Sequence, residues 1–218
     1  MSAQRIVLLG PPGSGKGTQA AKIAAHLSVP HIATGDLFRE EIAAQTELGI
    51  LADSFIAYGN LVPDEVTNQV VRERLAMPDA EGFVLDGYPR TLDQARALEE
   101  NLAELERPLD GAFLIDVPDD AIVQRAVGRV LCPNCGAIYH LQFKPPSVAG
   151  ICDLCRSVLV VRDDDTPSTV RHRLAVYHRI TAPVIDFYRE RNLLGSVDGV
   201  GKPEEILGLL LALIEKSW

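Results

Sequence analysis

The sequence predicts an α/β protein in which helices cover a parallel sheet. Three observations carry that expectation. Short apolar runs alternate with longer stretches of helical pattern, the order that builds βαβ units. A glycine-rich loop joins the first apolar run to the first helical stretch. Four cysteines crowd into 24 residues and interrupt the alternation, so a small insertion is expected there. A chain of 218 residues, 47% hydrophobic and 23% charged, suits one globular domain with an inserted subdomain. No window approaches the roughly 18 consecutive apolar residues of a membrane span. The first apolar run, residues 6–9, is too short for a secretory signal, so the expected location is cytoplasmic, with no membrane partner.

The candidate strands are residues 5–9, 30–33, 82–86, 111–117 and 193–197. Between them, residues 15–27 form an Ala-rich helical stretch, and residues 64–76 carry Val66, Val70 and Val71 at helical spacing. Residues 92–105 are rich in Ala, Leu and Glu, all strong helix formers. Residues 166–191 open with Thr166 as an N-cap and Pro167 in the first helical position. Val170, Leu174 and Tyr177 then share one face, and Pro183 is expected to bend or break the helix. The last helix starts at Pro203, with Glu204 and Glu205 in its first turn and Lys216 near its end, the charge order a helix dipole favours. Two stretches fall outside the alternation. Residues 34–62 read as mostly polar helix with no strand. Residues 129–165 hold the cysteines, Pro145-Pro146 and the runs 138–141 and 158–161, and read as a small β insertion.

Cys132, Cys135, Cys152 and Cys155 follow the pattern C-x2-C-x16-C-x2-C, the spacing of a four-thiolate zinc site. Pro133, Asn134, Gly136 and Asp153 suit the tight turns that aim paired thiolates at one point. Two disulfides or a redox pair are the alternatives. A cytoplasmic chain disfavours the first, and a redox motif expects one C-x-x-C rather than two. Four thiolates fill a tetrahedron, so nearby His140 is expected to pack or hydrogen-bond rather than ligate.

The loop Gly10-Pro11-Pro12-Gly13-Ser14-Gly15-Lys16-Gly17-Thr18 lies between strand and helix, the context of a phosphate-binding loop. Its glycines let backbone N–H groups converge on phosphate oxygens, the helix N-terminus adds unpaired donors, and Lys16 adds charge. Gly17 stands where the general pattern has Ser or Thr, so direct hydroxyl–Mg²⁺ coordination is less secure here. The segment Phe83-Val84-Leu85-Asp86-Gly87-Tyr88-Pro89-Arg90-Thr91 ends a strand in Asp86 at the sheet edge where ligands bind. Asp86 suits Mg²⁺, directly or through water. Thr34-Gly35-Asp36-Leu37-Phe38-Arg39 is a weaker signal past another strand. Arg125 and Arg129, four apart, are expected on one helical face, as anion ligands or as solvated surface. Arg162 and the acidic residues 163–165 precede Arg171 and Arg173, which stand about 200° apart on a helix, so one of the two points away from any shared ligand.

The net charge of −9, from 21 basic and 30 acidic residues, disfavours a nucleic-acid partner, and an aromatic content of 6% leaves few platforms for stacked bases. Of the basic residues 16 are Arg, whose forks match phosphate oxygens. Composition bias explains that count equally well, so position decides.

These motifs, in this order along the whole chain, resemble adenylate kinase in its long-lid form with a zinc-binding lid. The terminal Val197-Asp198-Gly199 and the lid entry Val127-Gly128-Arg129 belong to the resemblance. It implies a three-layer P-loop sandwich with a five-stranded parallel sheet. Residues 1–32, 63–127 and 166–218 would form the core, 33–62 a helical nucleotide-monophosphate-binding insertion, and 128–165 a zinc-pinned β lid. It implies that Gly13, Ser14, Gly15, Lys16, Gly17 and Thr18 hold the ATP phosphates. Arg125 and Arg129 would flank ATP, with Arg129 under the adenine. Ile138 and Tyr139 would touch its ribose or base, and a carbonyl near Gly201 its adenine. Thr34, Arg39, Asn60, Leu61, Val62, Gly87, Tyr88, Pro89, Arg90 and Gln94 would hold AMP. Arg162 and Arg173 would bridge the phosphates in transit, with Lys16, Arg90 and Arg125 also catalytic. The Tyr88–Pro89 bond is expected to be cis. Mg²⁺ would come with ATP, zinc would be structural, and the substrates would be ATP, AMP and ADP, bound by a monomer. A kinase for UMP or CMP is the nearer alternative, which Thr34 and Gln94 disfavour. A zinc-ribbon nucleic-acid-binding NTPase is the farther one.

Overall fold

The computed structural model describes residues 4–161 and 166–216. Arg162 and residues 163–165, assigned above to phosphate contacts and an acidic run, lie outside the described residues. Among those described, seven strands occur in chain order: β1 (Arg5–Leu9), β2 (His31–Ala33), β3 (Phe83–Asp86), β4 (Gly111–Asp116), β5 (Arg129–Leu131), β6 (Ile138–His140) and β7 (Leu194–Asp198). The helices are α1 (Lys16–Leu27), α2 (Thr34–Ala43), α3 (Glu47–Ile56), α4 (Asp64–Leu75), α5 (Leu92–Glu104), α6 (Asp119–Val127), α7 (Pro167–Val176), α8 (Pro183–Glu190) and α9 (Pro203–Lys216).

Five strands form one sheet in the order β2-β3-β1-β4-β7, and every pairing in it is parallel. Parallel sheets need cover on both faces, and the side-chain alternation supplies it. Ile6, Leu8, Val84, Phe113 and Ile115 point to one face and pack with Ile23 of α1, Ile122 of α6, Leu174 of α7 and Leu210 of α9. Val7, Leu9, Phe83, Leu85 and Leu114 point to the other and pack with Val71 of α4, Leu98 of α5 and Phe187 of α8. Ile6, Leu8, Phe83 and Phe113 are almost wholly buried, each worth about 1.5–3 kcal/mol of transfer free energy. This three-layer sandwich agrees with the expected fold class.

Smaller apolar clusters lie outside the two main ones. Phe38, Ala52 and Val62 unite α2, α3 and the start of α4. Val130, Cys132, Tyr139 and Cys152 unite the antiparallel pair β5–β6 with the second cysteine turn. The run 158–161 forms no strand; it makes isolated bridges only, Val160 to Leu131 and Val158 to Ile151.

One expectation fails at α6. The helix stops at Val127, Gly128 leaves helical geometry, and Arg129 opens β5. Arg125 and Arg129 therefore share no helical face. At the other end of the sandwich, Thr166 Oγ1 accepts from Thr169 N at 3.2 Å and Pro167 follows in the first helical position. Pro183 lacks the N–H a continuous helix needs, and the chain rewinds through a π turn, Tyr177–Thr181, before α8 begins.

Candidate active site

β1 brings the chain to the carboxyl edge of the sheet, where the loop at residues 10–18 turns into α1. Gly15 takes the left-handed conformation and no side chain caps α1, so its first N–H groups remain available to an anion. Lys16 Nζ donates to Gly10 O at 2.7 Å and to Pro11 O at 2.8 Å. Burial, reinforced by the charges of Arg90 and Arg129 and opposed by Asp86, lowers its ammonium from the ordinary 10.5 to about 8. A Cβ at Gly17 would stand 3.3 Å from Asp86 Oδ2, so the space beside the residue that usually carries a hydroxyl faces a carboxylate instead. Burial opposes the charge on Asp86, but His31, Lys16 and Arg90 outweigh it and hold the carboxyl below its usual range. His31 Nε2 lies 3.7 Å from Asp86 Oδ2, close enough for charge attraction but not for a hydrogen bond.

On the β2–β3 side, the turn after Asp86 is built around one carbonyl. Gly87 O accepts from Thr34 Oγ1 at 2.9 Å and from Arg90 Nε at 2.6 Å. Gly87 has φ +77°, a conformation that favours glycine, and a Cβ there would also displace the Arg90 guanidinium, 2.8 Å away. The Tyr88–Pro89 bond is cis. Tyr88 is buried, and its hydroxyl donates to Asn68 Oδ1 at 2.8 Å, so it meets the site through its backbone. Gln94 is also buried. Its Oε1 accepts from Arg90 N at 2.7 Å, and its Nε2 donates to Asp64 Oδ1 at 2.7 Å. Arg39 pairs with Asp36, and its charge, with that of Arg173, bears on Arg90. Asn60, Leu61 and Val62 lie where α3 leads toward α4. Asn60 Oδ1 is 3.0 Å from His172 Nε2 of α7, and a Cβ on Gly59 would touch Arg173 and Thr169 at 3.2 Å.

On the β4–β7 side the two arginines part company. Arg125 Nη2 donates to Gly199 O at 2.9 Å, beside the loop that contains Gly201. Arg129 lines a narrow cleft with Pro12, Gly13 and Arg173, beside the phosphate-binding loop. The two side chains thus reach different parts of the sheet edge, Arg125 the loop after β7 and Arg129 the phosphate-binding loop. Arg171 is exposed and Arg173 half-buried. Ile138 is half-buried. Tyr139 is 5% exposed, and its hydroxyl accepts from Asp153 N at 2.8 Å and lies 3.5 Å from Cys152 Sγ. Its ring is therefore committed to the cysteine cluster.

The four cysteine sulfurs lie within 4.8 Å of one another. Gly136 N donates to Cys132 O and Arg156 N to Cys152 O, both at 3.0 Å, so the two C-x-x-C turns share one geometry. Hydrogen bonds with Ser157 and Asn134 lower the Cys155 thiol to about 5, whereas Cys135, despite a bond to the Ala137 backbone, is raised to about 12 by burial and by the other three thiols, so the metal-free cluster shares its protons unevenly. Four convergent thiolates fit a tetrahedral zinc ion and leave no position open. His140 stays outside the cluster: its Nδ1 accepts from Gln142 N and Phe143 N, both at 3.1 Å.

Sequence reasoning missed Asp64, Asn68, His31 and Gln19. Each acts on a residue far away in the chain, and no local pattern marks it. Among the described residues, no helix is long and apolar enough to cross a membrane.

A family model for adenylate kinase matches residues 8–193. An adenylate kinase of Symbiobacterium thermophilum is 54% identical over 195 residues, covering 89% of this chain and 90% of its own. Those of Clostridium novyi and Streptomyces avermitilis are 48% and 51% identical and cover 97% and 93% of this chain, with 98% and 93% of their own lengths. An unbroken likeness of this depth, over a chain whose phosphate-binding loop, cis-proline turn and cysteine quartet sit as described, makes it a member of the adenylate kinase family.

Proposed function

We propose that this chain catalyses reversible phosphoryl transfer from MgATP to AMP, yielding two ADP. The observation that carries the reading is the gathering of Lys16 and Arg90 about Asp86, with Arg129 and Arg173 beside them, at the uncapped start of α1. In a chain of net charge −9, such a cation cluster fits an anion of high charge. A phosphate oxygen of AMP is already ionised at neutral pH, so it attacks the γ-phosphorus of ATP without a general base, and ADP departs as the P–O bond to its β-phosphate breaks. The protein's task is then alignment and charge stabilisation.

The loop 13–18 would hold the ATP phosphates, with Lys16 following the charge as it moves. Arg129 would serve the phosphates and Arg125 the base side with Gly201, a division favoured by their positions. Thr34, Arg39, residues 60–62, 87–90 and Gln94 would hold AMP. Gln94 acts there mainly by fixing Arg90 and the turn. Arg162 and Arg173 would bridge the transferring group. Asp86 would hold Mg²⁺ through water, and the metal supplies charge neutralisation on the phosphates. The four cysteines would hold a structural zinc that stabilises the lid. Residues 33–62 and 128–165 would close over the nucleotides and exclude water, the competing nucleophile. A monomer without nucleic-acid affinity suffices for this chemistry.

A coupled assay of ADP formation, run with AMP, UMP, CMP and GMP as acceptors, tests the reading. ADP from ATP and AMP, with kcat/KM for AMP well above the others, is expected. A preference for UMP or CMP would replace it with the pyrimidine reading.

A further inference from the structure

We propose that Gln19 sets the span between the base-contacting loop and the phosphate-binding loop, and so acts as a positioning residue for the choice of phosphoryl donor. The inference rests on the reading that the loop after β7 meets the adenine.

Gln19 lies in the first turns of α1, the helix whose N-terminus closes the phosphate-binding loop. Its side chain is 3% exposed. Its Nε2 donates at 2.9 Å to the carbonyl of Pro203, the first residue of α9, which directly follows residues 199–202. The other end of that loop is pinned separately. Gly199 N donates to Asp116 O at 2.7 Å, Arg125 donates to Gly199 O at 2.9 Å, and Val200 N donates to Asp198 Oδ1 at 2.8 Å. Between the pins stand Val200, 53% exposed, and Gly201, with φ +149°. The loop is thus held at both ends, with its middle presented to solvent.

The remaining links between α1 and the start of α9 are poorly directed. Ile23 packs with Ile206 and Leu210, and apolar contact tolerates sliding. Lys22 pairs with Glu204 at 3.2 Å in an exposed position, a weak restraint. Among the described residues, the Gln19 bond is the buried, directional link between α1 and the start of α9. The positioning role also separates from folding. Gln19 Oε1 is buried with no hydrogen-bond partner among the described residues, so the amide is not an optimal filler. An apolar side chain of similar length should fold at least as well while releasing the loop.

The test compares ATP with GTP, which carries the same phosphates on another base, in wild type, Gln19→Met, Gln19→Leu and Gly201→Ala. Gln19→Met and Gln19→Leu should lower the ATP-to-GTP ratio of kcat/KM by about tenfold, the weight of one buried hydrogen bond. The loss should appear in KM for ATP, with KM for AMP unchanged and Tm equal or higher. An unchanged ratio in both Gln19 variants, while Gly201→Ala lowers it, overturns the role of Gln19 alone. An unchanged ratio in Gly201→Ala as well removes the adenine reading of the loop. Equal losses for both donors with a fallen Tm reduce Gln19 to a structural part.

Discussion

The ammonium of Lys16 should give the enzyme an alkaline limit. Its fall from 10.5 to about 8 makes the charged form about 3 kcal/mol costlier inside the loop than in water. Lysine acts on phosphates as a cation, so function is present below the lowered value and lost as pH rises through it. At about pH 9 roughly a tenth of the free enzyme would carry the charge, and kcat/KM for ATP should fall about tenfold from its neutral plateau. Phosphates beside the ammonium favour it, so the limb in kcat should lie at higher pH than the limb in kcat/KM. Arg129 contributes to the lowering, so Arg129→Gln should move the limb in kcat/KM upward, whatever it does to the rate. The assay is initial-rate ADP formation from about pH 6.5 to 10, at fixed free Mg²⁺ and saturating AMP. A kcat/KM profile flat to about pH 10 would refute the argument, because it would mean that the loop leaves Lys16 as basic as it is in water.

Arg90→Ala should raise KM for AMP by roughly 10- to 100-fold, the loss of charge-assisted bonds, and leave ATP affinity nearly intact; separate nucleotide titrations check this, and weakened ATP binding alone would move Arg90 to the donor side. Zinc should be present at one per chain, and Cys132→Ser should lower Tm and sensitise residues 128–165 to protease while phosphotransfer persists at low temperature. Protein purified under reducing conditions without zinc would defeat that prediction. So would complete loss of transfer on chelation with a lid still resistant to protease. Tyr139→Phe should speed zinc release to a chromophoric chelator by about tenfold, because the hydroxyl, already accepting from Asp153 N, has its proton left for Cys152; an unaltered release rate would exclude that bond.

The sheet was legible because its strands are buried on both faces and read as unbroken apolar runs. Residues 5–9 match β1, three other runs differ from their strands by a residue at one end, and the last is shifted by one residue at both ends. The phosphate-binding loop and the cysteine quartet were legible because both are local: spacing alone carries them. The error at Arg125 and Arg129 came from extending a helix through Gly128, although glycine is a frequent helix terminator. The break between α2 and α3 was readable in principle from Thr46, whose Oγ1 caps α3 by accepting from Gly49 N at 3.0 Å. The parts of the site that escaped are long-range pairs. Gln94 meets Asp64 across 30 residues, and Gln19 meets Pro203 across 184. Nothing in a local window announces such a partner, because the sheet order, not the chain order, makes them neighbours.

That order has a consequence for how specificity could change. β1 is the middle strand. The elements assigned to the acceptor, Thr34 and the turn at residues 87–90, follow β2 and β3 on one side of it. Those assigned to the donor's base, Arg125 and residues 199–201, follow β4 and β7 on the other. Adjacent strands are about 4.8 Å apart, so the two sets stand on opposite flanks of one loop with no side chain in common. Mutational drift in one half then leaves the other half's chemistry alone. Thr34→Val and Gln19→Met should combine additively in a double-mutant cycle, within about 0.5 kcal/mol. A family built this way could trade one partner nucleotide while keeping the other, with the central strand as the fixed divide.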